Sequence, residues 1–151
     1  PEEGKYHFDG HRKCGVSLSP VEAERLGGIC PVCGKKLTMG VDHRVEQLAD
    51  REEGFVKKDG KKYESLVPLP EVVAACMGYS TASKKVQGCF EQMMQTLGTE
   101  FDILRNVPAE DIKSCAGERI AEGIENVRTG NVKRIPGYDG EYGKIQLFDE
   151  N

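Results

Sequence analysis

The chain has 151 residues, 21 Lys+Arg against 25 Asp+Glu, a formal net charge of −4, six Cys, three His and no Trp. This length fits one medium domain or two small ones. No apolar run approaches the roughly 18 residues of a membrane span, three histidines are too few for a multi-metal hydrolase centre built on them, and no global basic surface for nucleic acid exists. The opening Pro1-Glu2-Glu3-Gly4 carries no methionine and no secretory signal, and reads as a cut from something longer.

In chain order, Lys5 to Phe8 reads as a short strand. Ser19-Pro20-Val21-Glu22 is a helix start, with Ser at the N-cap, Pro at the first helical position and Glu22 as capping-box partner. Gly27-Gly28 ends that helix. Lys35 to Val41 reads as a strand and Arg44 to Ala49 as one or two helical turns, before a charged, glycine-containing linker. From Leu66 the apolar spacing turns helical. Leu69 to Met77 is a helix opened by Pro70 and closed by Gly78. Ser80 or Thr81 caps a longer one through Leu97, with Val86, Phe90, Met93, Met94 and Leu97 on one face and Gly98 at its end. A short turn, Glu100 to Leu104, places Phe101 and Leu104 together. Pro108-Ala109-Glu110 opens a helical stretch to Arg128, broken near Gly117 and stopped at Thr129-Gly130. Two strand-like pieces, Val132 to Ile135 and Lys144 to Phe148, flank a Pro-Gly-Tyr-Asp-Gly turn.

The cysteines divide by context. Cys76, Cys89 and Cys115 sit among apolar helix neighbours and read as small core residues. The others form paired knuckles: His11-x2-Cys14-Gly15 and Cys30-x2-Cys33-Gly34, with fifteen residues between Cys14 and Cys30. Two ligands three positions apart share one turn, and the glycine after the second accepts the turn's positive φ. Together His11, Cys14, Cys30 and Cys33 predict a tetrahedral, structural zinc site with no open position for substrate. His43 is the rival for the fourth position, and His7 reads as a surface or supporting residue. The competing reading of Cys30-x-x-Cys33 is a redox pair, which requires neither Cys14 nor His11. This cysteine usage predicts a reduced, cytoplasmic chain. Three thiolates and one zinc ion take the net charge to about −5.

A second signal runs from Ser114 to Ile124. Gly117, Ala121 and Ile124 fall on the second glycine, alanine and isoleucine of a helix-hairpin-helix pattern, while Cys115 replaces the first glycine. Such a hairpin offers backbone N–H groups to a DNA phosphate. The alternative is a kinked amphipathic helix with Ile112, Ile120, Ile124 and Val127 in the core. The candidate DNA contacts are Gly117, Arg119, Arg128, Lys133, Arg134 and Tyr138, the last able to stack on a base. No catalytic residue is identified.

Gly4-Lys5-Tyr6-His7, the knuckle Cys30-Pro31-Val32-Cys33-Gly34-Lys35, the segment Arg44-Val45-Glu46-Gln47-Leu48-Ala49-Asp50-Arg51 and the tail Pro136-Gly137-Tyr138-Asp139-Gly140-Glu141-Tyr142-Gly143 follow one another in an order that resembles the PHP-type phosphoesterases with a zinc ribbon, which include endonuclease Q. The resemblance covers nearly the whole chain, and only the portion that follows the catalytic domain in that family. It implies an N-terminal PHP domain holding catalytic metals, and cleavage of DNA 5′ of deaminated bases or at abasic sites. No His-x-His occurs in this chain, so none of that domain's metal motifs carries over.

The expectation is therefore an α+β chain: a zinc ribbon with short strands over 1–50, a linker over 51–64, and a helical region over 65–151 with a degenerate helix-hairpin-helix and a terminal β-hairpin. It would assist DNA binding by a repair endonuclease and have no nuclease activity alone, its partners being the PHP domain and DNA carrying a deaminated base. The alternative is a zinc-stabilised protein-interaction module without a nucleic-acid role.

Overall fold

The computed structural model describes residues 4–52 and 54–148. The fold is α+β, with seven α-helices and two two-stranded sheets among the described residues. It divides into two compact units: the residues up to Lys61 together with Arg134–Ile145, and Lys62–Lys133 together with the segment from Gln146 onward. No helix of the described residues is long and apolar enough to cross a membrane.

The first unit starts with β1 (Asp9–His11) and β2 (Val16–Leu18), antiparallel with Asp9 opposite Leu18 and His11 opposite Val16. A 3₁₀ turn, Arg12–Cys14, joins them and closes on Gly15 at φ 64°. Helix α1 (Pro20–Arg25) has the expected capping box: the Glu22 N–H donates to Ser19 Oγ and the Ser19 N–H to the Glu22 carboxylate. Two N-terminal donors are thereby satisfied by two side chains three residues apart. Helix α2 (Val41–Leu48) follows.

Two strand expectations need correction. Over Lys5–Phe8 the chain makes one bridge, Phe8 to Tyr138, and the strand begins at Asp9. Over Lys35–Val41 there are single bridges, Ile29 to Lys36 and Gly10 to Thr38, and then Val41 opens α2. The cause is the packing of Gly40 against the backbone. A Cβ there would collide with the carbonyl oxygens of His7 and Phe8, and the Gly40 N–H turns inward to donate to buried Asp9.

The terminal segment belongs by its contacts to this unit. Gly137 O accepts from the N–H groups of His7 and Phe8. Asp139, at φ 43°, takes the Arg12 N–H at 2.6 Å and the Thr38 hydroxyl at 2.7 Å. Tyr138 lies against Gly10, where a Cβ would come within 2.5 Å of its ring. The strands β3 (Lys133–Ile135) and β4 (Lys144–Gln146) pair in the second sheet.

The second unit is helical: α3 (Leu69–Met77), α4 (Lys84–Leu97), α5 (Glu100–Arg105), α6 (Ala109–Ala116) and α7 (Glu118–Thr129). Leu69, Val72, Val73, Val86, Met93, Ile103, Leu104, Ile112, Ile120, Ile124 and Val127 fill its core. Helix α3 ends on Gly78 at φ 70° as the sequence indicates. Helix α4 starts later than expected, because Ser80 Oγ closes a local turn on the Ala82 N–H and Ser83 caps instead. On α5 the buried residues are Ile103 and Leu104, while Phe101 is exposed beneath the Arg105 guanidinium. Helices α6 and α7 meet at Gly117, φ 95°.

Candidate metal centre

The four ligands predicted from the knuckles converge. One donor atom from each of His11, Cys14, Cys30 and Cys33 lies within 4.8 Å of every other. His11 arrives on the last residue of β1 and Cys14 on the 3₁₀ turn that follows. Cys30 and Cys33 sit on a tight turn whose neck is held by Cys30 N–H to Lys35 O and whose tip is closed by Gly34 N–H to Cys30 O. Gly34 has φ 70°, matching Gly15 in the first knuckle. Cys33 Sγ is 3.4 Å from His11 Nδ1. A tetrahedral zinc with sulfur at roughly 2.3 Å separates its ligands by about 3.8 Å, so the donors are close to the spacing a metal needs. Three thiols and an imidazole are also the soft and borderline donors that favour zinc over magnesium or calcium.

The thiols are electrostatically unequal. At Cys30 burial opposes ionisation, but the backbone N–H groups of Cys33 and Val32, with help from the Cys33 and His11 side chains, bring its pKa to about 7. Cys14 is driven up to about 11 by burial and by the two neighbouring cysteines. Crowded thiols resist a second negative charge, and a dication placed among them removes that conflict. A small apolar cluster backs the site: Ala23, Cys30 and Leu37, flanked by Cys14, Val16 and Leu18.

His43, the rival for the fourth position, lies outside the cluster. Its Nδ1 lies 2.7 Å from Asp9 Oδ2, with both residues buried, while Asp9 Oδ1 takes the Gly40 N–H at 2.6 Å. His7 is half-buried, 3.8 Å from Asp42. Sequence reasoning missed Asp9, Thr38 and Asp139 as supports of this region. The Asp139-Gly140 pair signals a turn, but its partners lie more than a hundred residues away. Cys76, Cys89 and Cys115 are half-buried in the helical unit, and burial pushes the Cys76 thiol up to about 11, as expected of a packing cysteine.

The six candidate DNA contacts fall in different places. Arg134 and Tyr138 belong to the first unit; Gly117, Arg119, Arg128 and Lys133 belong to the second. Arg128 leaves the set. Its guanidinium donates to the carbonyls of Ile103, Leu104 and Val107 and pairs with Glu125, so it ties α7 to the end of α5. Arg119 and Lys133 line one cleft. At the α6–α7 corner the Gly117 N–H returns to Lys113 O, and Ile112, Ile120, Ile124 and Val127 are all buried.

Fold and site together define an α+β chain with a cysteine–histidine cluster that could hold a metal ion, and a helical companion unit. The chain is similar to several known proteins. The family model described as the MJ0043 C-terminal domain matches residues 68–131. Protein MJ0043 of Methanocaldococcus jannaschii is 33% identical over 149 residues, 97% of this chain and 18% of that protein. Protein YqxK of Bacillus subtilis is 29% identical over 147 residues, 97% of this chain and 34% of that protein. The crystal structure of the lesion-specific endonuclease PfuEndoQ from Pyrococcus furiosus is similar with a TM-score of 0.84 at 33% identity, over 99% of this chain and 37% of that one. A structure of endonuclease Q in complex with a 27-mer duplex substrate, with an abasic lesion at the active site, gives 0.80 at 32% identity and the same coverage. The motif resemblance to endonuclease Q therefore holds in three dimensions, over a chain spanning little more than a third of those structures.

Proposed function

We propose that this chain is the zinc-binding and helical accessory region of a DNA-repair endonuclease like endonuclease Q, a PHP-family phosphoesterase cutting 5′ of deaminated bases or abasic sites. The observation that carries this reading is the similarity to endonuclease Q across 99% of the chain, joined to the ligand cluster. His11, Cys14, Cys30 and Cys33 would hold zinc. With all four positions filled by protein, the ion supplies folding energy and no open Lewis-acid position. Catalysis would reside in a PHP domain, and this region would help hold the DNA. Of the sequence candidates, Gly117, Arg119, Lys133, Arg134 and Tyr138 remain for that role, with the α6–α7 corner as a degenerate helix-hairpin-helix.

Two measurements test the reading. Protein purified without chelator should hold about one zinc; less than about half an equivalent counts against the structural site. DNA binding should be measurable at low salt and fall steeply as salt rises, and the chain should not cut uracil-containing DNA. Metal-dependent cleavage by this chain would overturn the accessory role.

One observation favours a protein-docking module instead. Helix α2 exposes Val41, Val45 and Leu48, at 63%, 57% and 65% of their surface, on successive turns. Absence of DNA binding at low salt would favour that alternative.

A further inference from the structure

The helical unit contains an open cleft of about 720 Å³, within the roughly 300–1,000 Å³ of ligand sites. Its lining is polar and carries two cations, Arg119 from the first turn of α7 and Lys133 from the start of β3. Among the described residues neither has a carboxylate partner or a hydrogen-bond acceptor. Glu122, three residues on from Arg119 and lining the same cleft, makes no ion pair with it.

The cleft is built rather than merely charged. The Arg119 guanidinium lies 3.8 Å from the centroid of the Phe148 ring, so its plane is held by the aromatic face while its N–H edge stays available. The floor is ordered by side-chain amides: Asn131 Nδ2 donates to Asn126 Oδ1, and Asn126 Nδ2 donates to Leu147 O. A held guanidinium with unused donors, in the same cleft as an exposed ammonium, fits an oxyanion with more than one oxygen to offer. The volume exceeds what a lone phosphate fills, and the open shape lets a chain pass through.

We infer that this cleft is a phosphodiester-binding subsite, with Arg119 and Lys133 contacting the backbone of a nucleic-acid strand and Phe148 positioning the guanidinium. The inference rests on the accessory-region reading and assigns the contact to one concave site. Glu122 opposes the ligand's charge, which gives the proposal a signature of its own: removing that carboxylate should tighten binding.

The experiment is fluorescence anisotropy of the full 151-residue chain with a labelled short duplex carrying an abasic analogue, across a salt series. NMR of the Asn126 and Asn131 side-chain amides runs in parallel, and inorganic pyrophosphate serves as the free-anion arm. R119Q and K133Q should each lower the slope of log affinity against log salt by about 1, while E122Q should bind about two- to threefold tighter, a modest gain fitting one removed repulsion at an exposed site. The amide resonances should move on DNA addition in the native chain and stay put in the R119Q/K133Q double variant. All three substituted residues are exposed, so unchanged helical circular dichroism is expected. If the chain binds DNA and all variants match it in affinity and slope, the subsite is overturned while the accessory reading stands. If pyrophosphate moves the amides and DNA does not, the ligand is a free phosphate and the strand assignment falls. If no form binds DNA at low salt, both readings fall.

Discussion

The two units solve the same problem by opposite means. The helical unit buries a run of branched and long apolar side chains, among them Leu69, Met93, Ile103, Ile112 and Ile124, and its backbone groups are satisfied inside helices. The first unit has a core of little more than Ala23, Cys30 and Leu37, with three-residue strands and two short helices. What it has instead is donor geometry: the ligand cluster, the buried Asp9–His43 pair and the Asp139 contacts to Arg12 and Thr38. Hydrophobic burial is non-directional and tolerates small errors, whereas a ligand set is directional and fails when one member is lost.

Loss of a ligand should therefore give the largest effect. With zinc in the cluster as proposed, Cys30→Ser or chelation should cost the first unit most of the stability the metal supplies, on the order of 10 kcal/mol in comparable sites. Hydrogen exchange should then show protection lost over residues 9–40 and kept in α3, α4 and α7. Equal loss in both units would break the comparison. Next, Ile124→Ala should destabilise the helical unit by about 2–5 kcal/mol with zinc content unchanged, read by urea melts and metal analysis. Arg128→Met should cost about 2–3 kcal/mol, because three carbonyls lose a charged donor. Arg128→Lys should recover only part of that, since an ammonium does not reproduce the planar fork.

The smallest expected effect concerns Asp139. The Thr38 hydroxyl and the Arg12 N–H hold its carboxyl below the ordinary range. A carboxylate whose folded pKa is depressed contributes stability above its unfolded value, about 4, and loses it as pH falls through the folded value. Asp139→Asn should cost about 1 kcal/mol at neutral pH, and the difference from the native chain should shrink below pH 4. A difference that stays constant with pH would remove the ionic part of the account.

What the sequence discloses follows from how local each interaction is. The Ser19–Glu22 capping box, the Pro70 and Gly78 boundaries and the break at Gly117 are each specified within a few residues, and the structure places them where expected. The knuckles were legible for the same reason, each being one turn. The choice between His11 and His43 was not local. It turns on Asp9, whose buried carboxylate engages the His43 imidazole and leaves His11 beside the three cysteines. The strand expected over Lys35–Val41 failed because Gly40 has to approach the His7 and Phe8 carbonyls, a constraint no alternation of side chains reveals. Phe101 carried an apolar signal, yet it lies exposed under Arg105 while Ile103 is buried.

The separations in the first unit also set an order of events during synthesis. Its four cluster residues have all been made once Cys33 leaves the ribosome, but Asp139, which closes on Arg12 and Thr38, comes 127 and 101 positions after them. The helical span Lys62–Lys133 lies wholly between. The nascent chain can therefore assemble its ligand turns early and pack its helices next, and it closes the first unit last, since contacts of long sequence separation carry the greatest entropic cost of chain closure.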